Sequence, residues 1–297
     1  MNLLYKLTLF ASVPLLAAAL WGCKKEQSAS ELSPQEELQI ALAAVRGEAQ
    51  ASFHTDDAFD NAMGISTEVG LGGTGLFGRF NQADSVPPCL QVHVDRLAPG
   101  QQFPVRITLD FGGGCAGRDG RTRSGKLVVE YSARLTDSGA RALVTFENYK
   151  VDSFSISGSH EIRNVGTPAQ RAWTITATDG RIERPNGSSI YWNGSRTIVQ
   201  IEGRATQTIV DDAFHVTGGY RGTVRTGDLV SSWSSNIEVP LRKRFACPWF
   251  GQGTIRTVRG NLGAGSAYAG LLDYGTGTCD KSATLTLNNS TYQISLP

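Results

Sequence analysis

The sequence has no surplus charge and few of the residue groupings from which reactive sites are built. Its 28 Lys and Arg meet 27 Asp and Glu, so no global field would draw it to nucleic acid or to an anionic surface. No two cysteines stand in a C-x-x-C or C-x-x-x-x-C spacing, and no H-E-x-x-H is present. These absences speak against the common zinc arrangements and leave no cofactor expected. His54, His93, His160 and His215 are scattered. His160 with Glu161 could join a site only through the fold, and a solvated strand position is the simpler expectation. Asp56-Asp57 and Asp211-Asp212 lack the acidic loop that calcium requires, so turn and cap roles explain them. Asp110-Phe111-Gly112 matches a kinase triplet, but without a phosphate loop, a strand lysine or a catalytic loop it is a chance match. Gly112-Gly113-Gly114-Cys115 reads as a turn ending in a disulfide rather than as a thiol nucleophile.

Long apolar runs are also missing. Leu9 to Leu20 is the nearest to one, and it is too short to span a bilayer. It follows Lys6 and ends at Leu20-Trp21-Gly22-Cys23, which is the order of a targeting segment. A small residue before a cysteine, followed by the polar Lys24-Lys25-Glu26-Gln27-Ser28, resembles the lipobox of bacterial lipoproteins. Trp21 departs from that pattern, where a small or aliphatic residue is usual. The resemblance implies cleavage after Gly22 and acylation of Cys23, with an ordinary signal peptide or an uncleaved anchor as the competing readings. Membrane attachment through that lipid is the expected partner interaction. Removing residues 1–22 takes only Lys6 from the charged set and leaves the two signs equal.

Four cysteines remain, Cys89, Cys115, Cys247 and Cys279, an even number for a chain bound for an oxidising compartment. Loop closure favours Cys89 with Cys115 and Cys247 with Cys279, although spacing alone leaves the other pairings open.

What is present points to β-structure behind one helix. Residues 23–32 are polar and suit a tether. Residues 33–63 are expected to be helical: Ser33-Pro34-Gln35-Glu36 forms a capping box with Pro at the first helical position. Leu38, Leu42, Val45, Ala49 and Phe53 then fall on one face. A pause at Gly47 or a new cap at Thr55-Asp56-Asp57 is expected to interrupt that helix. The apolar stripe should pack on the β body.

From residue 64 to 297 alternation replaces the helical period, as in Leu127 to Tyr131 and Thr284 to Leu287. The 34 glycines exceed the usual share of roughly 7 per cent, and they punctuate short stretches as turns and bulges do. Turns are expected at Asp137-Ser138-Gly139, Asp179-Gly180, Pro185-Asn186-Gly187 and Asn193-Gly194. No stretch between strands has room for a crossover helix, so the class is mainly β with antiparallel sheets, arranged as a meander or a sandwich. Asp152 to Gly158 and Asp212 to Gly218 share the pattern Asp-x-Phe-x-aliphatic-hydroxyl-Gly, and Trp173 and Trp233 keep the same spacing of 60. This suggests a duplicated unit, 151–210 and 211–270.

The stretch Leu109 to Cys115, Asp119-Gly120-Arg121, Ser124-Gly125-Lys126, Asp273-Tyr274-Gly275 and Gly277 to Ala283 resemble a group of Bacteroidota envelope lipoproteins without assigned activity. The resemblance implies a lipidated, β-rich, disulfide-bearing envelope protein and transfers no functional residue. The run after Cys23 holds a single acid, Glu26, which favours the periplasmic side of the outer membrane over the cell surface.

Two functions follow as expectations. The first is a non-enzymatic binding or structural module for a glycan, peptide or partner protein, with Trp192, in Tyr191-Trp192-Asn193-Gly194, as the candidate stacking residue, although core packing is the favoured role of the tryptophans. The second is an envelope polysaccharide or ester hydrolase drawing on Asp110, Asp119, Glu130 and Glu147, which would need two of these carboxyls in one cleft. Arg242-Lys243-Arg244 reads as a solvated strand end.

Overall fold

The computed structural model describes residues 32–65, 69–70, 87–117, 119–206, 211–247, 249–260 and 262–296. The expected signal segment, Cys23 and most of the tether lie outside these residues. One helix, α1 (Pro34–Gly64), precedes β1 (Gln91–Arg96), β2 (Val105–Asp110), β3 (Cys115–Ala116), β4 (Thr122–Tyr131) and β5 (Arg141–Val151). There follow β6 (Phe154–Asn164), β7 (Ala172–Glu183), β8 (Ser189–Glu202), β9 (Ala213–Thr226) and β10 (Leu229–Arg244). The last four strands are β11 (Phe250–Arg259), β12 (Gly270–Thr276), β13 (Ser282–Leu287) and β14 (Ser290–Ser295). All belong to one open antiparallel sheet in sequence order, with short β3 beside β4. The arrangement is therefore the meander and not the sandwich.

The helix begins as its sequence dictates. Glu36 N donates to Ser33 Oγ, and Glu36 Oε2 accepts from Ser33 N, a cap worth about 1 kcal/mol. It then runs unbroken to Gly64, through the expected pause at Gly47 and the expected cap at Thr55-Asp56-Asp57. Packing explains the difference. Gly47 lies where a Cβ would come within 3.2 Å of the Trp233 indole nitrogen, so the glycine admits a tryptophan instead of ending the helix. Asp57 spends its carboxylate on Arg123 rather than on a cap.

The sheet curls around this helix. Asp57 pairs with Arg123 of β4, and Asp60, one turn along, pairs with Lys243 of β10. Those strands are six steps apart in the sheet, about 29 Å if it were flat. Two strands that far apart meet a single helical turn only if the sheet bends round it. Bulges supply the bend. The β6–β7 register breaks between Ser157 and Ser159, and the β9–β10 register breaks between Ser234 and Leu241. At these breaks stand Gly158 (φ +101°) and Gly218 (φ +103°), where a Cβ would lie 2.4 Å from the carbonyl oxygens of Asp179 and Ser195 respectively. The glycine that closes each sequence repeat is thus a bulge residue. The two repeats hold β6–β8 and β9–β11, three strands each, so in an antiparallel sheet the second copy runs opposite to the first.

Two expected turns are overturned for the same reason. Asp179-Gly180 lies inside β7 and Asn193-Gly194 inside β8, where their backbone freedom serves bulges within long strands. Gly180 also faces Trp192, Trp192 faces Gly222, and Gly222 faces Trp233 across four neighbouring strands. A ladder of alternating glycine and tryptophan therefore lines part of the inner face. Turns do form at Asp137-Ser138-Gly139 and at Pro185-Asn186-Gly187.

Both disulfides join neighbouring loops and margins. Cys89 pairs with Cys115 and Cys247 with Cys279, across 26 and 32 residues. Each constrains the unfolded chain by about 3.5 kcal/mol on a loop-entropy basis. They are bonds of an oxidising, extracytoplasmic compartment. No helix among the described residues is long and apolar enough to cross a membrane.

Candidate functional site

The inner face of the sheet presents cations to an acidic helix. Six acids and one base, Arg46, stand on α1. Four of the acids meet strand cations. Arg259 of β11 donates to both oxygens of Glu37 at 3.0 Å, and Arg196 of β8 donates to Glu48 at 2.9 Å. Arg123 of β4 reaches Asp57 at 3.0 Å, and Lys243 of β10 reaches Asp60 at 3.0 Å. Arg196 and Glu48 are completely buried. Desolvation pushes the Glu48 carboxyl above its ordinary value, and the Arg196 charge opposes that rise.

Where the sheet leaves α1 uncovered, a cleft of about 310 Å³ opens between the two margins of the sheet. The helix contributes Ser52, Phe53, Asp56, Asp57 and Asp60 to it. One wall comes from Asp119, Arg121 and Asp152 around β4 and the β5–β6 turn; the other comes from Lys243, Trp249, Phe250, Tyr274, Lys281 and Leu296.

Most of these charges are already matched. Arg123 bridges Asp57 and Asp119, and Tyr149 donates its hydroxyl to Asp57 at 3.2 Å. Burial works against the Arg123 charge, but Asp57 and Asp119 outweigh it and hold the guanidinium above its ordinary pKa. Arg121 pairs with Asp152 at 2.9 Å and lies 4.4 Å over the Phe53 ring. Asp56 is the exception: half-buried, it has no hydrogen bond or ion pair with any described residue.

Beneath the cleft, Ser52 donates to Glu48 at 2.6 Å and receives an N–H of Arg196. Glu48 Oε2, Arg196 Nη1 and the Tyr220 hydroxyl have no hydrogen-bond partner among the described residues. Burial, with the nearby Glu48 and Asp56 charges, pushes the Tyr274 hydroxyl well above its ordinary value.

The residues singled out from sequence are dispersed. Trp192, the stacking candidate at an apparent turn tip, has the core role favoured for the tryptophans: it is fully buried, with its indole N–H on Thr55 Oγ1 at 3.2 Å. It sits mid-strand against Gly180, so ring stacking on a ligand is closed to it. Asp110 pairs with Lys126 and accepts from Gly112 N, which holds its carboxyl below the usual range. Glu130 pairs with Arg106, and Glu147 is exposed. Of the four proposed hydrolase carboxylates, Asp119 alone lines the cleft. His160 is no solvated strand residue: it is fully buried beside Thr55, and burial pushes it down to about 4. Lys243 is likewise buried on Asp60 rather than at a solvated strand end. Among the described residues, no group of three His, Cys, Asp or Glu is arranged to hold a metal ion.

The sequence analysis does not single out Glu48 and Asp60 on the helix or Arg196 on the strands, and it gives Asp56 and Lys243 other roles. A signal was present. Arg196 falls in phase with Ile198, and Lys243 with Leu241, so both cations occupy inward positions that the period-2 pattern assigns to apolar side chains.

The chain matches no protein-family model, no curated protein and no solved structure. Its site must therefore be argued from its own geometry.

Proposed function

We propose that this chain is a lipid-anchored protein of the bacterial cell envelope that works by binding, with the cleft between the sheet margins as its ligand site. One observation carries the reading: a preformed cleft in which four of five aspartates are already matched by protein donors and one, Asp56, is left for a ligand. Its volume lies at the lower end of small-molecule sites, and Lys243, Phe250 and Tyr274 in its wall stand on strands. The lipobox at Cys23 and the likeness to Bacteroidota envelope lipoproteins support the anchored address.

Hydrolysis is less well supported. It needs one carboxyl that holds a proton and a second free to attack or to activate water, whereas Asp57, Asp60, Asp119 and Asp152 are each bound to a cation. Trp249 lines the cleft while Trp173, Trp192 and Trp233 are buried, so Trp249 can report occupancy. Titrating the acylated protein with solubilised envelope glycan and peptide fragments should give a saturable change in tryptophan emission. Mass spectrometry should then recover the fragments intact. Cleaved fragments would establish the hydrolase instead, and an emission unmoved by every fragment would overturn the binding site.

A further inference from the structure

Resting on the reading of the cleft as the binding site, we infer that its ligand carries a protonated organic amine, and that Asp56 is the counter-charge that receives it. Asp56 is half-buried in the helix wall, and removing a carboxylate from water without a partner is costly. Every other aspartate of the cleft has its cation or hydrogen-bond donor on the protein. The missing charge is therefore the ligand's.

Tyr274 supplies an independent observation. The residue is 6% exposed and its ring forms part of the cleft wall, yet its hydroxyl bonds to no described residue. Asp56 and Tyr274 line the same cleft, so the two can serve one ligand, one as charge and one as hydrogen-bond partner. The rings of Tyr274 and Trp249 favour an organic ammonium, which aromatic faces attract.

Other ligand classes fit less well. A calcium ion asks for six or more oxygens, and the cleft has one uncommitted carboxylate. An anion would find Arg121 and Lys243 already taken by Asp152 and Asp60. Lys281, exposed at the rim, repels the second ammonium of a diamine without taking the first from Asp56, so reversing its charge should tighten such a ligand.

The test is isothermal titration of the full chain with cadaverine, its neutral diol analogue and calcium chloride, on wild type, Asp56→Asn and Lys281→Glu. Asp56 has no partner to lose, so the Asn variant should fold, and circular dichroism checks this. Cadaverine should bind wild type at one site, Asp56→Asn should weaken it by about tenfold or more, and Lys281→Glu should tighten it. The diol and calcium should not bind. Equal affinity in Asp56→Asn, equal binding of the diol, or calcium binding without cadaverine binding would overturn the inference. If cadaverine fails while envelope fragments still move the Trp249 emission, the amine falls and the cleft stands; if both fail, both fall.

Discussion

On the side of α1 covered by β8 and β9, charge occurs as one enclosed pair, Glu48 with Arg196, set among Trp192, Trp233 and the glycines they cover. On the side facing the cleft, charge occurs in numbers: Arg123 is buried between Asp57 and Asp119, Lys243 is buried on Asp60, Arg121 with Asp152 reaches water, and Asp56 is left over. The same residue types thus do different work a few helical turns apart. In the enclosed region each charge has a single opposite charge, with only the Ser52 hydroxyl shared between the two. At the cleft, acids and cations are several, so a lost contact can be replaced by a neighbour or, at the rim around Arg121 and Asp56, by water.

The contrast is sharpest at Glu48. Glu48→Ala leaves Arg196 buried without its counter-charge and should cost about 3–5 kcal/mol in urea-induced unfolding. Replacing the pair by Leu and Met together should recover most of that loss, because two desolvated charges then disappear at once. A small loss in the single variant would break the comparison, since it would mean that water reaches this side too.

A smaller effect is expected from acid. Neutral His160 is favoured in the folded protein, where burial pushes it from 6.5 down to about 4. Its contribution to stability is therefore complete above 6.5 and is lost as the pH falls through about 4. His54, buried with both ring nitrogens unpartnered, is pushed down by burial and by Arg121 and Arg123, and acts in the same direction. Asp212 acts oppositely. Its desolvated carboxyl is pushed up to about 6, so its contribution is complete below its ordinary value of 3.8 and is lost as the pH rises through about 6. Melting temperatures between pH 4 and 6.5 should fall toward acid less steeply in His160→Leu than in wild type. An unchanged slope would place the proton elsewhere.

The smallest effect belongs to the open side. Asp56→Asn removes no protein contact and should change stability by no more than about 0.5 kcal/mol, in contrast to its expected effect on amine binding. A large loss would show Asp56 to be a structural residue and join the two sides into one.

The parts of this structure legible in the sequence are those fixed locally. Ser33 and Glu36 cap the helix because they are three residues apart, and alternation around Leu127 and Leu285 makes strands whatever follows. Loop closure favours Cys89 with Cys115 without excluding the other pairings, and the structure has that bond. The site was not legible because its pairs are distant: Asp57 finds Arg123 across 66 residues and Glu48 finds Arg196 across 148. Glycine misled in a specific way. Asp179-Gly180 and Asn193-Gly194 carry the residues of a tight turn, but a strand that must bend around a helix uses the same backbone freedom in mid-course. The stacking candidacy of Trp192 followed from that error, while the core role favoured for the tryptophans holds: beside a bulge Trp192 points inward.

The order in which the helix acids meet their partners has a consequence for biogenesis. The separation between acid and cation is 66 residues for Asp57, 148 for Glu48, 183 for Asp60 and 222 for Glu37. The helix precedes every strand, so its acids meet their cations in the order in which β4, β8, β10 and β11 follow along the chain. A chain that ends after β10 lacks Arg259, the cation that meets Glu37, however complete its earlier hairpins. The far end of the sheet thus decides whether the first turn of the helix can be buried.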